Sequence, residues 1–160
     1  MRLPGEIIQG ILARGALVLL RLYLGVVFLL SALPKLERHP GSDLAGFLQQ
    51  RALDAGHAFY RPFVESVLLP NSAVIGLVVG WVEAAVGVTL IAGLGTRFSA
   101  GLAMILAMNY MFAKGEWFWT PWSHDAARLV IALALLIGAA GRTLGIDAML
   151  ARRWPRSPLW

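Results

Sequence analysis

The chain has 160 residues, 58% of them hydrophobic and 14% charged, with 14 Lys and Arg against nine acids. Its mean hydropathy is +0.69, whereas a soluble globular domain carries closer to a quarter charged residues, so the composition selects an integral membrane protein and leaves no room for a second soluble domain. The absence of cysteine removes thiol–disulfide chemistry, thiolate metal sites and iron–sulfur clusters from the chain itself, and the pI near 10.4 comes from scattered arginines, without the organised basic surface that binding nucleic acid requires.

A spanning helix needs about 20 mostly apolar residues, and the apolar runs lack the alternation of a membrane barrel. They predict an all-α four-helix membrane bundle with spans at about 15–33, 73–94, 98–112 and 125–141. The N-terminal run is too long for a signal peptide and lacks a small-x-small cleavage pattern, so it is expected to be the retained first helix, ended by Pro34. Residues 34–72 form an insert between helices one and two. Within it, SDLAGFLQQRALDA has Ser42 as a candidate cap and Leu44, Phe47, Leu48, Ala52 and Ala55 on one face, which predicts an amphipathic helix in the interface. FYRPFVESVLLP is apolar but too short to span. It either caps the mouth of the bundle or closes over a substrate as a lid.

Asn71 or Ser72 is the expected cap of the second span, and GLGTR (93–97) joins the second and third as a tight antiparallel hairpin. EWFWTPW places Trp117, Trp119 and Trp122 where an aromatic belt meets the headgroups. On the N-terminal side lie Arg2, Arg14, Arg97, Arg142, Arg152, Arg153 and Arg156. On the other lie Lys35, Arg38, Arg51, Arg61 and Lys114, with six acids in the same segments. The imbalance puts both termini in the cytoplasm and the long insert outside.

Charges inside apolar helices are expensive and must be paired or used. Arg21, Gly25, Phe28, Ala32 and Lys35 share one face of the first helix; Gly76, Gly80, Glu83 and Gly87 share one face of the second. The glycines predict close approach of another helix. Arg21 and Glu83 both lie near the middle of their spans, and an Arg21–Glu83 ion pair inside the bundle follows. Such a pair either fixes helix register or forms a polar site for a carbonyl-bearing lipophile. At the outer end Asp125 and Arg128 are three apart on one helix face, with Lys35 and Trp119 expected at similar depth. This group is either an interfacial salt bridge or a site for a quinone head, with cations for the carbonyls and an aromatic ring beside the ring plane. Ser123, His124 and Asp125 are consecutive, and consecutive helical residues point about 100° apart, so they cannot align as a hydrolytic triad. Asn109 and Tyr110 are expected to make interhelical hydrogen bonds.

The sequences RLYLGVVFLLSALPKL, WVEAAVGVTLIAGLGTRFSAGLAMILAM and DAARLVIALALLIGAAGRTLGIDAML, in that order and spacing, resemble the DoxX family over about Arg21 to Leu150. The pieces are the Arg21–Gly25–Lys35 pattern, Glu83 followed by the GLGTR turn, and the closing Gly141-to-Asp147 segment. The resemblance implies a small four-helix protein of a bacterial or archaeal cell membrane that often partners redox enzymes. Some relatives are subunits of thiosulfate:quinone oxidoreductase. Its membrane-embedded charged positions map onto Arg21, Lys35 and Glu83. The expectation is therefore a membrane-anchoring or quinone-side subunit of an oxidoreductase, not catalytic alone. It would have no intrinsic redox cofactor, quinone as its candidate ligand, a redox protein as partner, and self-association left open. The alternative is a binding protein or carrier for a small lipophilic molecule. The candidate ligand residues are Arg21, Lys35, Glu83, Trp119, Asp125 and Arg128.

Overall fold

The structure, a computed structural model, describes residues 4–37, 40–138 and 140–154. Arg2, Arg38, His39 and Arg156 lie outside the described residues, as do the side chains of Ser42 and Asp43. The described residues are helical with no strand. Helix α1 is Pro4–Glu37, α2 Pro40–Phe47, α3 Arg61–Phe63, α4 Ser72–Ala92, α5 Thr96–Lys114, α6 His124–Gly138 and α7 Ile146–Arg153. Helices α2 and α3 each run on into a π-helical turn, Leu48–Ala52 and Val64–Leu68.

Helices α1, α4, α5 and α6 pack around one core. Leu24 and Phe28 of α1, Val86 and Leu90 of α4, Ala100 and Ala103 of α5, and Ala132 and Leu135 of α6 are all buried in it. Among the described residues, Gln9–Glu37 and Ser72–Ala92 are long and apolar enough to cross a bilayer. Helix α5, which carries Arg97, Asn109 and Lys114, and the 15-residue α6 do not meet that test.

Helix α1 does not stop at Pro34. A proline forfeits a single helical hydrogen bond, and packing can offset that loss. The extra turn lays Leu36 and Lys35 against Gly80 of α4. The glycine seam forms as expected. A Cβ on Gly87 would sit 2.8 Å from the Leu29 amide nitrogen and 2.9 Å from the Gly25 carbonyl oxygen. The two backbones therefore touch, and only glycine permits that approach.

Gly93 (φ +66°) terminates α4 in the left-handed conformation. The Leu94 amide donates to Thr89 O at 2.9 Å and the Gly93 amide to Leu90 O at 3.2 Å, the closing pattern of a glycine C-cap. The α4–α5 hairpin thus follows the GLGTR prediction. Other boundaries move. Helix α2 begins at Pro40, two residues ahead of Ser42. Asn71 precedes α4, but its amide donates back to Val67 O (2.9 Å) and does not cap. Ser123 caps α6, its hydroxyl accepting the Ala126 amide at 3.0 Å. Helix α6 stops at Gly138, and Ala140–Arg142 forms a 3-10 turn leading to α7, which hydropathy did not suggest.

The insert folds back over one end of the four long helices. Leu48, Ala52 and Val64 bury against Ala113 of α5, flanked by Leu44, Phe47, Tyr60 and Leu68. Ala55, expected on this face, is exposed.

Candidate functional site

The expected Arg21–Glu83 pair does not form. The faces were right, since Arg21 and Glu83 are both buried, but the register was not. Glycine contacts set Gly25 against Gly87 and Ile91, and Lys35 against Gly80. That register carries Arg21 past the end of α4 to Gly93. Fourteen residues of helix separate Arg21 from Lys35, a rise of roughly 21 Å. Matching the midpoints of the two spans fails because α1, with 34 residues, outruns the 21-residue α4.

At this end Arg21 meets backbone. Its Nη1 donates to Ala140 O (3.2 Å) and Thr143 O (3.4 Å), and its Nη2 to Leu144 O (2.8 Å). Asp147 lies beside it, fully buried. Its Oδ1 accepts the Gly95 amide (2.6 Å), its Oδ2 accepts the Thr96 amide (2.9 Å), and its own amide donates to Gly93 O (2.8 Å). Asp147 thus holds the open amides at the start of α5, where a negative charge is favoured, while Arg21 holds the open carbonyls after α6. Gly93 and Gly145 leave room for the guanidinium; a Cβ on Gly145 would lie 2.7 Å from Nη1. The GLGTR and Gly141-to-Asp147 segments are therefore one latch. Asp147 was visible in the sequence only as part of a motif.

At the other end Glu83 is fully buried and bonded on both oxygens. Lys35 Nζ donates to Oε2 at 2.5 Å and the Tyr110 hydroxyl to Oε1 at 2.6 Å. Lys35 Nζ also reaches the Tyr110 oxygen at 2.9 Å and lies 5.1 Å from its ring centroid. One helical turn further on, Lys114 Nζ lies 5.9 Å from the same ring centroid. Its Nζ donates to Asp125 Oδ2 at 2.5 Å, and Arg128 Nη1 donates to Oδ1 at 2.9 Å. Asp125 too is fully buried. The predicted Asp125–Arg128 face is real, and Lys35 joins it at the same end. Tyr110 makes the interhelical hydrogen bonds expected of it, and together with Lys114, named in the sequence only as an orientation charge, it connects the two clusters.

Between them lies a cavity of about 490 Å³. Lys35, Glu83, Tyr110, Lys114 and Arg128 supply its polar wall. Ser31, Gly76, Val79 and Leu106 continue the wall on the long helices, and Leu44, Phe47, Leu48, Tyr60, Phe63 and Leu68 close it from the insert. The Tyr60 hydroxyl donates to Asn109 Oδ1 at 2.7 Å, and burial pushes its phenol above the ordinary range. The phenol therefore stays protonated and ties the insert to α5. The cavity is lined mainly by apolar side chains with a few convergent polar groups, the usual make-up of a small-molecule site.

Of the six sequence-selected residues, Lys35, Glu83, Asp125 and Arg128 come together here, and Arg21 sits at the opposite end. Trp119 is absent from the cavity wall. It is 64% exposed and stacks on Trp117 at 5.4 Å, and the aromatic rings on the cavity wall are those of Phe47, Tyr60, Phe63 and Tyr110. Ser123 bonds Glu116 (2.5 Å) and caps α6, while Asp125 faces its two cations; no triad geometry exists among them.

Comparison with curated proteins and with solved structures finds no match. The family model DoxX matches residues 16–115. That match runs from α1 to the end of α5 and stops short of α6 and the Gly141-to-Asp147 segment, which the sequence resemblance had included. It covers Ser72–Ala92, all of Gln9–Glu37 but its first seven residues, the glycine seam, the insert and, of Lys35, Glu83, Tyr110, Lys114 and Arg128, all but Arg128. On this match the chain belongs to the DoxX family and is a membrane protein.

Proposed function

We propose that the protein is the quinone-side subunit of a membrane oxidoreductase, binding a quinone head in the cavity between Lys35, Glu83, Tyr110, Lys114 and Arg128. The observation that carries this reading is the partly open 490 Å³ cavity in which cationic donors converge on an otherwise apolar wall. Quinone carbonyls accept hydrogen bonds from lysine and arginine, and the apolar insert and helix faces suit the ring and the start of an isoprenoid tail. The carboxylates hold the cations in place. In this reading the electrons come from a partner that bears the redox centre.

In the same reading α5 and α6 cross the bilayer with α1 and α4. Their outward faces carry Phe98, Ile105, Val130, Leu133 and Ile137, all exposed, and exposed apolar faces on helices that share a core with two spans favour lipid as their solvent. Both termini then lie in the cytoplasm of a prokaryotic cell and the insert outside.

The test is purification in mild detergent, followed by lipid extraction and identification of copurifying proteins. Retained quinone together with a flavin- or haem-bearing partner is expected. The variant Glu83→Gln/Arg128→Gln leaves neither buried carboxylate without a cation, because Asp125 keeps Lys114 and Glu83 is itself neutralised. Loss of retained quinone in that folded variant is expected, and undiminished binding would remove this site. A second reading, a carrier for another small lipophile, is favoured by the insert's apolar contacts over the cavity. A retained lipid of another class with no redox partner would select it.

A further inference from the structure

Charge and hydrogen-bond capacity within the cavity are unbalanced, and the imbalance has a direction. Among the described residues the two linked clusters hold three cations, Lys35, Lys114 and Arg128, against two carboxylates, Glu83 and Asp125. One positive charge is in excess. Every carboxylate oxygen already accepts a bond from a cation or from Tyr110. The donors are not used up. An ammonium has three N–H groups and a guanidinium five. Lys35 uses two of its three, Lys114 one, and Arg128 a single nitrogen. The side chains of Lys35, Lys114 and Arg128 keep 31%, 31% and 25% of their surface free, while all three line the cavity. Spare donors and an unbalanced charge therefore face the same space.

A neutral quinone would occupy some of those donors and leave the charge uncompensated in surroundings of low dielectric. An anion does both: it accepts the same hydrogen bonds and also pairs its charge with the excess cation. We infer that this cavity selects an anionic head, so that among quinoid ligands it takes the ionised hydroxyquinone form in preference to the neutral quinone. The inference rests on the reading of the cavity as a quinone-head site and names the charge state that site takes.

The experiment is equilibrium binding to the purified full-length protein in mild detergent at neutral pH. The ligands are a neutral naphthoquinone, a 2-hydroxynaphthoquinone that is ionised at that pH, and a fatty acid of similar length as an anion without a ring. The wild-type protein is expected to bind the ionised hydroxyquinone on the order of tenfold to a hundredfold more tightly than the neutral one, the gain from pairing an opposite charge with the excess cation in a partly buried site. Lys114→Gln removes the excess charge while Arg128 still holds Asp125; loss of this donor weakens both quinones, and the preference between them should shrink to about twofold or less. Glu83→Gln adds to the excess, and the ratio should rise. Because the readout is a ratio of two ligands on one variant, a loss of folded protein does not imitate it.

Equal affinities for the two quinones in the wild type would overturn the anion preference and leave the quinone site standing. Binding of neither quinone, with or without the fatty acid, would sink the quinone reading itself. A ratio unchanged in Lys114→Gln would overturn the assignment of the preference to these cations.

Discussion

The two ends of the helical core each bury charged side chains, and they do so for different ends. At the Arg21 end, guanidinium and carboxylate bond backbone. Arg21 reaches three carbonyls after α6 and Asp147 two amides before α5. The polar atoms left without a partner there, Arg21 Nε and the Thr96 hydroxyl, are themselves buried. At the Lys35 end, charges from α1, α4, α5 and α6 bond one another's side chains, with donors to spare, around an open volume. Burial of a charge inside an apolar helix does not by itself separate a latch from a site. What separates them is whether the charge closes on backbone or on other side chains beside a space.

That contrast can be broken most directly at the latch. Arg21→Met should destabilise the protein by about 3–5 kcal/mol, because it takes the neighbouring cation from the buried Asp147 carboxylate and the side-chain donors from the Ala140, Thr143 and Leu144 carbonyls. A thermal melt in detergent reads the loss, and ligand affinity per folded molecule should not move. A stable Arg21→Met protein that no longer binds ligand would reverse the roles assigned to the two ends. Next in size is Gly87→Ala. Its methyl meets the backbone of α1 at Leu29 and Gly25, and forcing the seam apart should cost about 1–3 kcal/mol. The same variant should also weaken binding, since the seam fixes the level of Lys35 against Glu83. If melting temperature and affinity both stay at wild-type values, the register argument fails.

Tyr110→Phe sharpens the comparison from the site's side. It removes one bond to Glu83 and one from Lys35, at a cost of about 1–2 kcal/mol in stability, with a several-fold loss of ligand affinity by titration. An affinity equal to wild type would mean that the ring and not the hydroxyl matters. The smallest effect concerns the insert. Burial raises the Tyr60 phenol above its ordinary value, so its contribution is complete below about pH 10 and is lost as pH rises beyond that. Limited proteolysis of the insert should therefore quicken in strongly alkaline solution. Tyr60→Phe should cleave somewhat faster at neutral pH and show no such rise; identical alkaline profiles would remove Tyr60 as the tie.

Much of this was legible in the residues. The shared faces Arg21–Gly25–Phe28–Ala32 and Gly76–Gly80–Glu83–Gly87 are buried as the 3.6-residue period requires, and the glycines announced a close seam. The Asp125–Arg128 pair followed from a spacing of three. The partner of Glu83 did not, because two continuous apolar helices can slide along one another without changing their faces. Pro34 misled for a related reason. Its local cost is real, but the contacts of Leu36 with Gly80 lie in another helix. The interhelical hydrogen bonds expected of Tyr110 are made, to Glu83 and from Lys35, whereas Lys114 was passed over because it sits near a helix end, where a loose interfacial role is the common one.

Composition and periodicity alone determined that this chain is helical, membrane-directed and folded with its charges turned inward, since bilayer solvation and the helical repeat act on each segment separately. Which charge meets which was decided only in three dimensions. Axial register and the folding back of the insert depend on backbone contacts between segments dozens of residues apart. Those contacts joined Lys35 to Glu83, left Arg21 to the backbone, and walled the space between.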